Sequence, residues 1–125
     1  PGSLPIRQKL LQRGVGQLDQ LAKESGGNPK LLDELAQGYY QLGEMPDSSL
    51  AEIEGNRRKG IALYQSLLEK EPDNLNYRIL LAQGWLRLSD SQKIMGNLNN
   101  ALEYARLSNS ILETAVLKKP ENFDY

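Results

Sequence analysis

The chain has 125 residues, with 15 basic and 16 acidic side chains and a net charge of -1. That length fits one domain with a modest core, and the near-balance of charge argues against a dedicated nucleic-acid surface, which carries a basic excess. Cysteine and histidine are both absent, so disulfides, thiolate nucleophiles, imidazole bases and zinc sites of the usual ligand types are excluded. No apolar run reaches the roughly 18 residues of a membrane-crossing helix, and no signal peptide is visible. Because the chain begins at Pro1 rather than Met, the expectation is a longer parent in which a targeting or membrane segment could lie upstream.

A first helix is expected from about Pro5 to Ser25. Proline suits a first turn, and Ile6, Leu10, Leu11, Leu18, Leu21 and Ala22 make one apolar stripe at helical spacing. Gly14 and Gly16 weaken its middle, which reads as room for a neighbouring helix. A dinucleotide fingerprint fails because no strand precedes them and Asp19 takes the third glycine position. Gly26-Gly27-Asn28-Pro29 combines a left-handed stop with a capped, proline-led start. A second helix then runs from Pro29 to Leu42, with Leu32, Leu35, Ala36 and Tyr39 inward and Gly43 ending it.

Glu44 to Gly55, with Met45-Pro46-Asp47-Ser48-Ser49, has poor periodicity and reads as a loop with room for one helical turn over Leu50 to Glu54. The third helix is expected over about Asn56 to Lys70, with Ile61, Tyr64, Leu67 and Leu68 inward. After the turn Glu71-Pro72-Asp73-Asn74, a fourth helix spans Leu75 to Leu88 on Leu81, Ala82 and Trp85. Ser89 to Asn97 is open between loop and continued helix, with a break at Gly96-Asn97. A long fifth helix covers about Leu98 to Lys118. Ala101, Leu102, Ala105, Ser108, Leu112 and Ala115 share its inner side, and Ile111 and Val116 widen the stripe toward a second neighbour. No segment alternates like a strand, so the fold class is all-α.

One phrase is written twice, 46 residues apart: Leu35-Ala36-Gln37-Gly38-Tyr39-Tyr40 returns as Leu81-Ala82-Gln83-Gly84-Trp85-Leu86. Each copy leads to a proline-marked ending, Pro72-Asp73-Asn74 and Pro120-Glu121-Asn122. A helical unit recurring with proline punctuation is the mark of stacked helical repeats. The units resemble tetratricopeptide (TPR) repeats, whose consensus is about 34 residues of two antiparallel helices. The first supplies Leu32, Leu35, Ala36, Tyr39, Gly60, Tyr64, Leu67 and Pro72, departing where Leu67 is larger than usual. The second supplies Leu81, Ala82, Trp85, Ala101 and Pro120, with Arg78 in place of a large apolar residue. About 12 residues, Glu44 to Gly55, are inserted in the first unit; about seven, near Ser89 to Met95, in the second, whose second helix is also about seven residues longer. The resemblance implies TPR-like stacked antiparallel hairpins of about five helices with long inter-helix insertions, in one domain over 1–125: a leading helix (1–27), two units (28–74 and 75–122) and the start of a further one (123–125).

The pattern also resembles the TPR region that follows the kinase domain in some bacterial eukaryotic-type serine/threonine protein kinases. That likeness rests on Pro1-Gly2-Ser3-Leu4-Pro5-Ile6-Arg7, Leu18-Asp19-Gln20-Leu21-Ala22-Lys23-Glu24-Ser25-Gly26-Gly27-Asn28-Pro29, Glu34-Leu35-Ala36, Tyr40-Gln41-Leu42-Gly43 and Gly96-Asn97-Leu98. A membrane helix often separates kinase from repeats in that group, which implies an extracytoplasmic sensor or docking module. Similar arrays follow winged-helix DNA-binding domains in bacterial regulators, and for these the compartment is cytoplasmic.

In TPRs the first helix of each pair lines a concave ligand face. The resemblance maps that face here to Lys30, Asp33, Gln37, Tyr40 and Gln41 and to Asn76, Ile79, Gln83, Leu86 and Arg87, a mixture suited to a peptide or partner helix; Tyr40 is expected to be exposed. The cationic clamp with which some TPRs take a C-terminal carboxylate is absent, since Asp33, Ile79, Gln37 and Gln83 stand at its places. Arg57-Arg58-Lys59 reads as a solvated helix start, and Tyr39 and Trp85 as core. The expected function is therefore a non-catalytic protein-binding module, with no cofactor, no metal and no catalytic residue. The alternative is an oligomerising spacer. No helix is expected to cover the outer side of the fifth helix, which predicts self-association through it as a homodimer.

Overall fold

The computed structural model describes residues 3–45 and 48–118, and the side chains of 12–45 and 48–117. Five helices follow one another: α1 (Ser3–Glu24), α2 (Pro29–Leu42), α3 (Leu50–Lys70), α4 (Leu75–Met95) and α5 (Leu98–Lys118). The described residues contain no strand, so the fold is all-α as expected. No helix among them is long and apolar enough to cross a membrane. The chain divides into two compact units at Leu63/Tyr64, within α3. The expected contributions of Ile6, Leu10 and Leu11 to the first stripe, and the start of a further unit at 123–125, lie outside the described side chains or residues.

The helix boundaries follow local chemistry. Gly26 and Gly27 take φ of 62° and 82°, the left-handed backbone that an L side chain resists. Asn28 Oδ1 accepts from the Leu31 amide at 3.2 Å to cap α2, and Asn74 Oδ1 accepts from Tyr77 N at 3.0 Å to cap α4; such caps satisfy amides that the first turn leaves open. Gly96, at φ 85°, ends α4. Its N–H donates to the Lys93 carbonyl and Asn97 N–H to the Gln92 carbonyl, the paired closure of a Schellman turn.

The first expected insertion is helical from Leu50 onward, and the second, 89–95, is helical throughout. The loop reading of 44–55 gives way at Leu50, because Ser49 and Glu52 form a capping box: Ser49 N donates to Glu52 Oε1 at 3.0 Å and Glu52 N to Ser49 Oγ at 3.1 Å. Residues 89–95 continue α4, and two extra turns keep the same face inward. Ser89, Ser91 and Gln92 are buried on that extension.

In the first unit α1 packs on α2, with Leu32, Leu35, Ala36 and Tyr39 buried as expected. Leu21 of the expected α1 stripe is 44% exposed. Leu18 and Ala22 of that stripe are half-buried, as is Val15, and Leu18 Cδ1 lies 3.2 Å from where a Cβ on Gly38 would stand. Gly14 meets Leu42 at an ordinary 3.6 Å and Gly16 faces open space, so neither is needed for close approach.

In the second unit α4 packs on α5. Tyr64 and Leu67, at the end of α3, are fully buried, and the Tyr64 ring lies 6.0 Å from that of Tyr77. The line that α5 buries in the α4–α5 seam is made of small residues. Ala101, Ser108 and Ala115 are buried at seven-residue spacing. Ser108 Oγ donates to the Ala82 carbonyl at 2.8 Å and Ser89 Oγ to the Ala101 carbonyl at 2.6 Å. A side chain as short as serine reaches a neighbouring helix backbone only where the helices approach closely. Leu102, expected on this inner side, is 52% exposed, because the buried line runs through 101, 108 and 115 and Leu102 is one residue round the helix from it.

Candidate functional site

The ten residues expected on a ligand face lie on two helices, one in each unit. On α2, Lys30, Gln37 and Gln41 are exposed and Asp33 is half-buried. Gln37 Nε2 donates to Asp33 Oδ1 at 3.1 Å, a one-turn pair that fixes both side chains on the same side of the helix.

Tyr40 does not join them. It is 4% exposed, against the expectation of an exposed ring. The reason lies in Gly60 of α3, where an added Cβ would fall 2.5 Å from Tyr40 Cδ1 and 3.2 Å from the Ala36 carbonyl oxygen. Glycine leaves the hollow that the ring fills. The sequence contains this information at a separation of 20 residues, but no local pattern reveals which aromatic would use the hollow.

On α4, Asn76, Gln83 and Leu86 are exposed, and Ile79 and Arg87 are half-buried. Their spacing of three and four residues places them on one side. Leu86 is 50% exposed and gives this face an apolar centre among amides. Trp85 beside it is half-buried rather than fully enclosed, and its ring packs against Tyr104 of α5 with centroids 5.2 Å apart.

The first unit holds a second polar feature, which joins residues far apart in the sequence. Lys59, read from sequence as part of a solvated basic cluster, reaches both carboxylate oxygens of Asp19 at 3.0 Å. Tyr39 Oη also donates to Asp19, and the Lys59 ammonium lies 5.5 Å from the Tyr39 ring centroid. Burial raises the Asp19 pKa, but hydrogen bonds from Tyr39 and Lys59 and the charges of Lys59 and Lys23 outweigh it and leave the value below the ordinary 3.8. Burial, then the hydrogen bond and charge of Asp19, push the Tyr39 phenol well above its ordinary range. Both groups move away from neutrality, whereas a general acid or base works best with a pKa near the operating pH. The cluster therefore joins α1, α2 and α3 as a polar tie. Beside it lies an open cleft of about 430 Å³ lined by Val15, Ser49, Glu52, Gly55, Asn56 and Lys59.

Among the described residues no group of three or more acidic side chains is placed to hold a metal ion. The chain matches no protein-family model, no curated protein and no solved structure.

Proposed function

We propose that this chain is a non-catalytic protein-interaction module of TPR-like helix hairpins that binds a peptide or partner helix through side chains of α4 in the second unit. The observation that carries this reading is the α4 face, where Leu86, half exposed, stands among Asn76, Gln83 and Arg87. An apolar anchor ringed by polar groups suits recognition of an amphipathic partner. Lys30, Asp33, Gln37 and Gln41 are the candidate positions on α2, a separate face in the first unit. Tyr40 is withdrawn from the proposed surface because its ring is used in packing.

The setting we favour is the sensory or scaffolding region of a bacterial signalling protein, on the resemblance to kinase-linked TPR regions, with a winged-helix regulator as the alternative parent. The coding sequence immediately upstream tests the setting: a kinase domain followed by an apolar span supports the first, a winged-helix domain the second.

The binding reading is tested by selecting a random peptide display library on the immobilised 125-residue chain. Selected peptides should lose about tenfold or more in affinity on Leu86→Ala combined with Gln83→Ala, the effect of removing an anchor residue, and should be indifferent to Asn99→Ala on α5. Peptides whose binding ignores the two α4 substitutions would overturn it.

A further inference from the structure

The outward side of α5 carries a strip with the same pattern in both directions. Leu102, Arg106, Asn109, Ser110, Glu113 and Leu117 are all exposed, the two leucines at 52% and 83%. Steps of three and four residues keep them on one side of the helix, away from the buried line of Ala101, Ser108 and Ala115. From the midpoint between Asn109 and Ser110, each end meets first a polar residue, then a charge, then a leucine. The two charges are opposite in sign, and neither Arg106 nor Glu113 forms an ion pair among the described residues.

We propose that α5 docks antiparallel on α5 of a second copy of this chain, about a two-fold axis between Asn109 and Ser110. A two-fold contact is self-complementary: whatever one copy places against the other, it also receives. In this register Leu102 meets the partner's Leu117, Arg106 meets the partner's Glu113 and Asn109 meets the partner's Ser110, and each contact occurs twice. The spacings match without adjustment, because both copies have the same helical rise: roughly 22 Å from Leu102 to Leu117 and roughly 10 Å from Arg106 to Glu113. The charges also choose the direction. A parallel pairing would set arginine on arginine and glutamate on glutamate, and like charges across an interface are strongly disfavoured.

It is this charge complementarity that identifies the occupant as a second copy. An unrelated partner has no reason to require an arginine and a glutamate at equal distances from the centre of the strip. A contact of one helix on one helix falls below the roughly 1,200 Å² at which stable complexes begin, so the dimer is reversible and concentration-dependent. The proposal is independent of the peptide-binding reading, since none of these residues belongs to the α2 or α4 faces.

The experiment is sedimentation equilibrium of the 125-residue chain from about 1 μM to about 1 mM, the range of weak association, with circular dichroism confirming that every variant keeps its helix content. The wild type should pass from monomer to dimer. Arg106→Glu alone and Glu113→Arg alone should each weaken self-association by about tenfold or more, since each sets like charges together. An equimolar mixture of the two single variants should form a heterodimer, because both pairs are then again opposite in sign. The double variant should dimerise like the wild type. A wild type that stays monomeric throughout, single variants that self-associate unchanged, or a mixture that fails to associate would each overturn the proposal.

Discussion

Tyr40 and Leu86 occupy the same place in the doubled phrase, yet one is 4% exposed and the other 50%. The difference comes from what each unit sets against its first helix. In the first unit the opposing helix offers Gly60, and a large ring closes over bare backbone. In the second unit the corresponding place is Ala101, whose carbonyl takes the Ser89 hydroxyl. The two helices there meet along small residues, and nothing draws Leu86 inward. One repeated phrase thus serves two ways of bringing helices together. The first unit fills a hollow with a ring and adds a charged tie. The second removes side-chain bulk and lets hydroxyls reach backbone.

The strongest challenge to this contrast falls on the seam. Ser108→Leu forces a branched side chain between α4 and α5 and removes the bond to the Ala82 carbonyl. Overpacking alone costs about 1–3 kcal/mol and the lost hydrogen bond about 1 kcal/mol, so urea unfolding should show a loss of about 2–4 kcal/mol. Ser108→Ala keeps the small volume and should lose only about 1 kcal/mol. If leucine and alanine were equally tolerated, the close seam would be wrong.

The matching test in the first unit is smaller, because two effects oppose each other. Gly60→Ala places a Cβ into the Tyr40 ring, an overpacking penalty of about 1–3 kcal/mol, while alanine's better helix propensity returns about 1 kcal/mol. The net expectation is a destabilisation on the order of 1 kcal/mol. Gly55→Ala, on the same helix with nothing within 4 Å, receives only the propensity gain and should be stabilised by up to about 1 kcal/mol. The same chemical change should therefore move unfolding midpoints in opposite directions at two sites five residues apart. Equal shifts would mean that Gly60 is not the hollow in which Tyr40 sits.

What the sequence disclosed depended on whether the information was local. The limits of α2 and α5 were legible because Asn28, Pro29 and Gly96-Asn97 act within one turn of themselves. The inward sets of α2 and α3 were legible from periodicity. The helical turn expected over Leu50 to Glu54 is present, but as the start of α3 and continuous with the helix expected from Asn56; its capping box, Ser49 with Glu52, is local, and the proline-containing stretch just before it obscures the continuity. Tyr40 could not be placed from its own neighbourhood, since its burial depends on Gly60 in another helix. Leu102 was misplaced because the apolar stripe of α5 is wider than the line that packs, and small residues rather than leucines mark that line. Lys59 looks like a solvated cation in the sequence because Asp19, its partner, lies 40 residues away. Of the candidate ligand positions, those on α2 and α4 follow from the repeat register: six of the ten are exposed, Asp33, Ile79 and Arg87 are half-buried, and Tyr40 is buried.

The smallest expected effect concerns the charged tie, which belongs to the first unit. Asp19 is bonded to Tyr39 and Lys59, and its folded-state pKa lies below the ordinary 3.8. Its contribution to stability is accordingly complete above pH 3.8 and is lost as pH falls through the lower folded value, where the folded carboxylate must also take a proton. Tyr39 has the opposite sign. Its phenol is raised above the ordinary 10.0, so its contribution is complete below pH 10.0 and is lost only as pH rises beyond it. Between those limits neither group titrates. Asp19→Asn should therefore lower the thermal midpoint by a constant amount across the neutral range, and the gap to wild type should close as the solution is acidified below pH 3.8. The gap should be small, because the Lys59 and Asp19 side chains are 42% and 41% exposed and water screens such pairs to about 1 kcal/mol or less. Added salt should narrow it further at neutral pH. If the gap instead persisted unchanged into acid, the ionised carboxylate would have no part in joining α1 to α2 and α3, and the tie would reduce to the hydrogen bond from Tyr39.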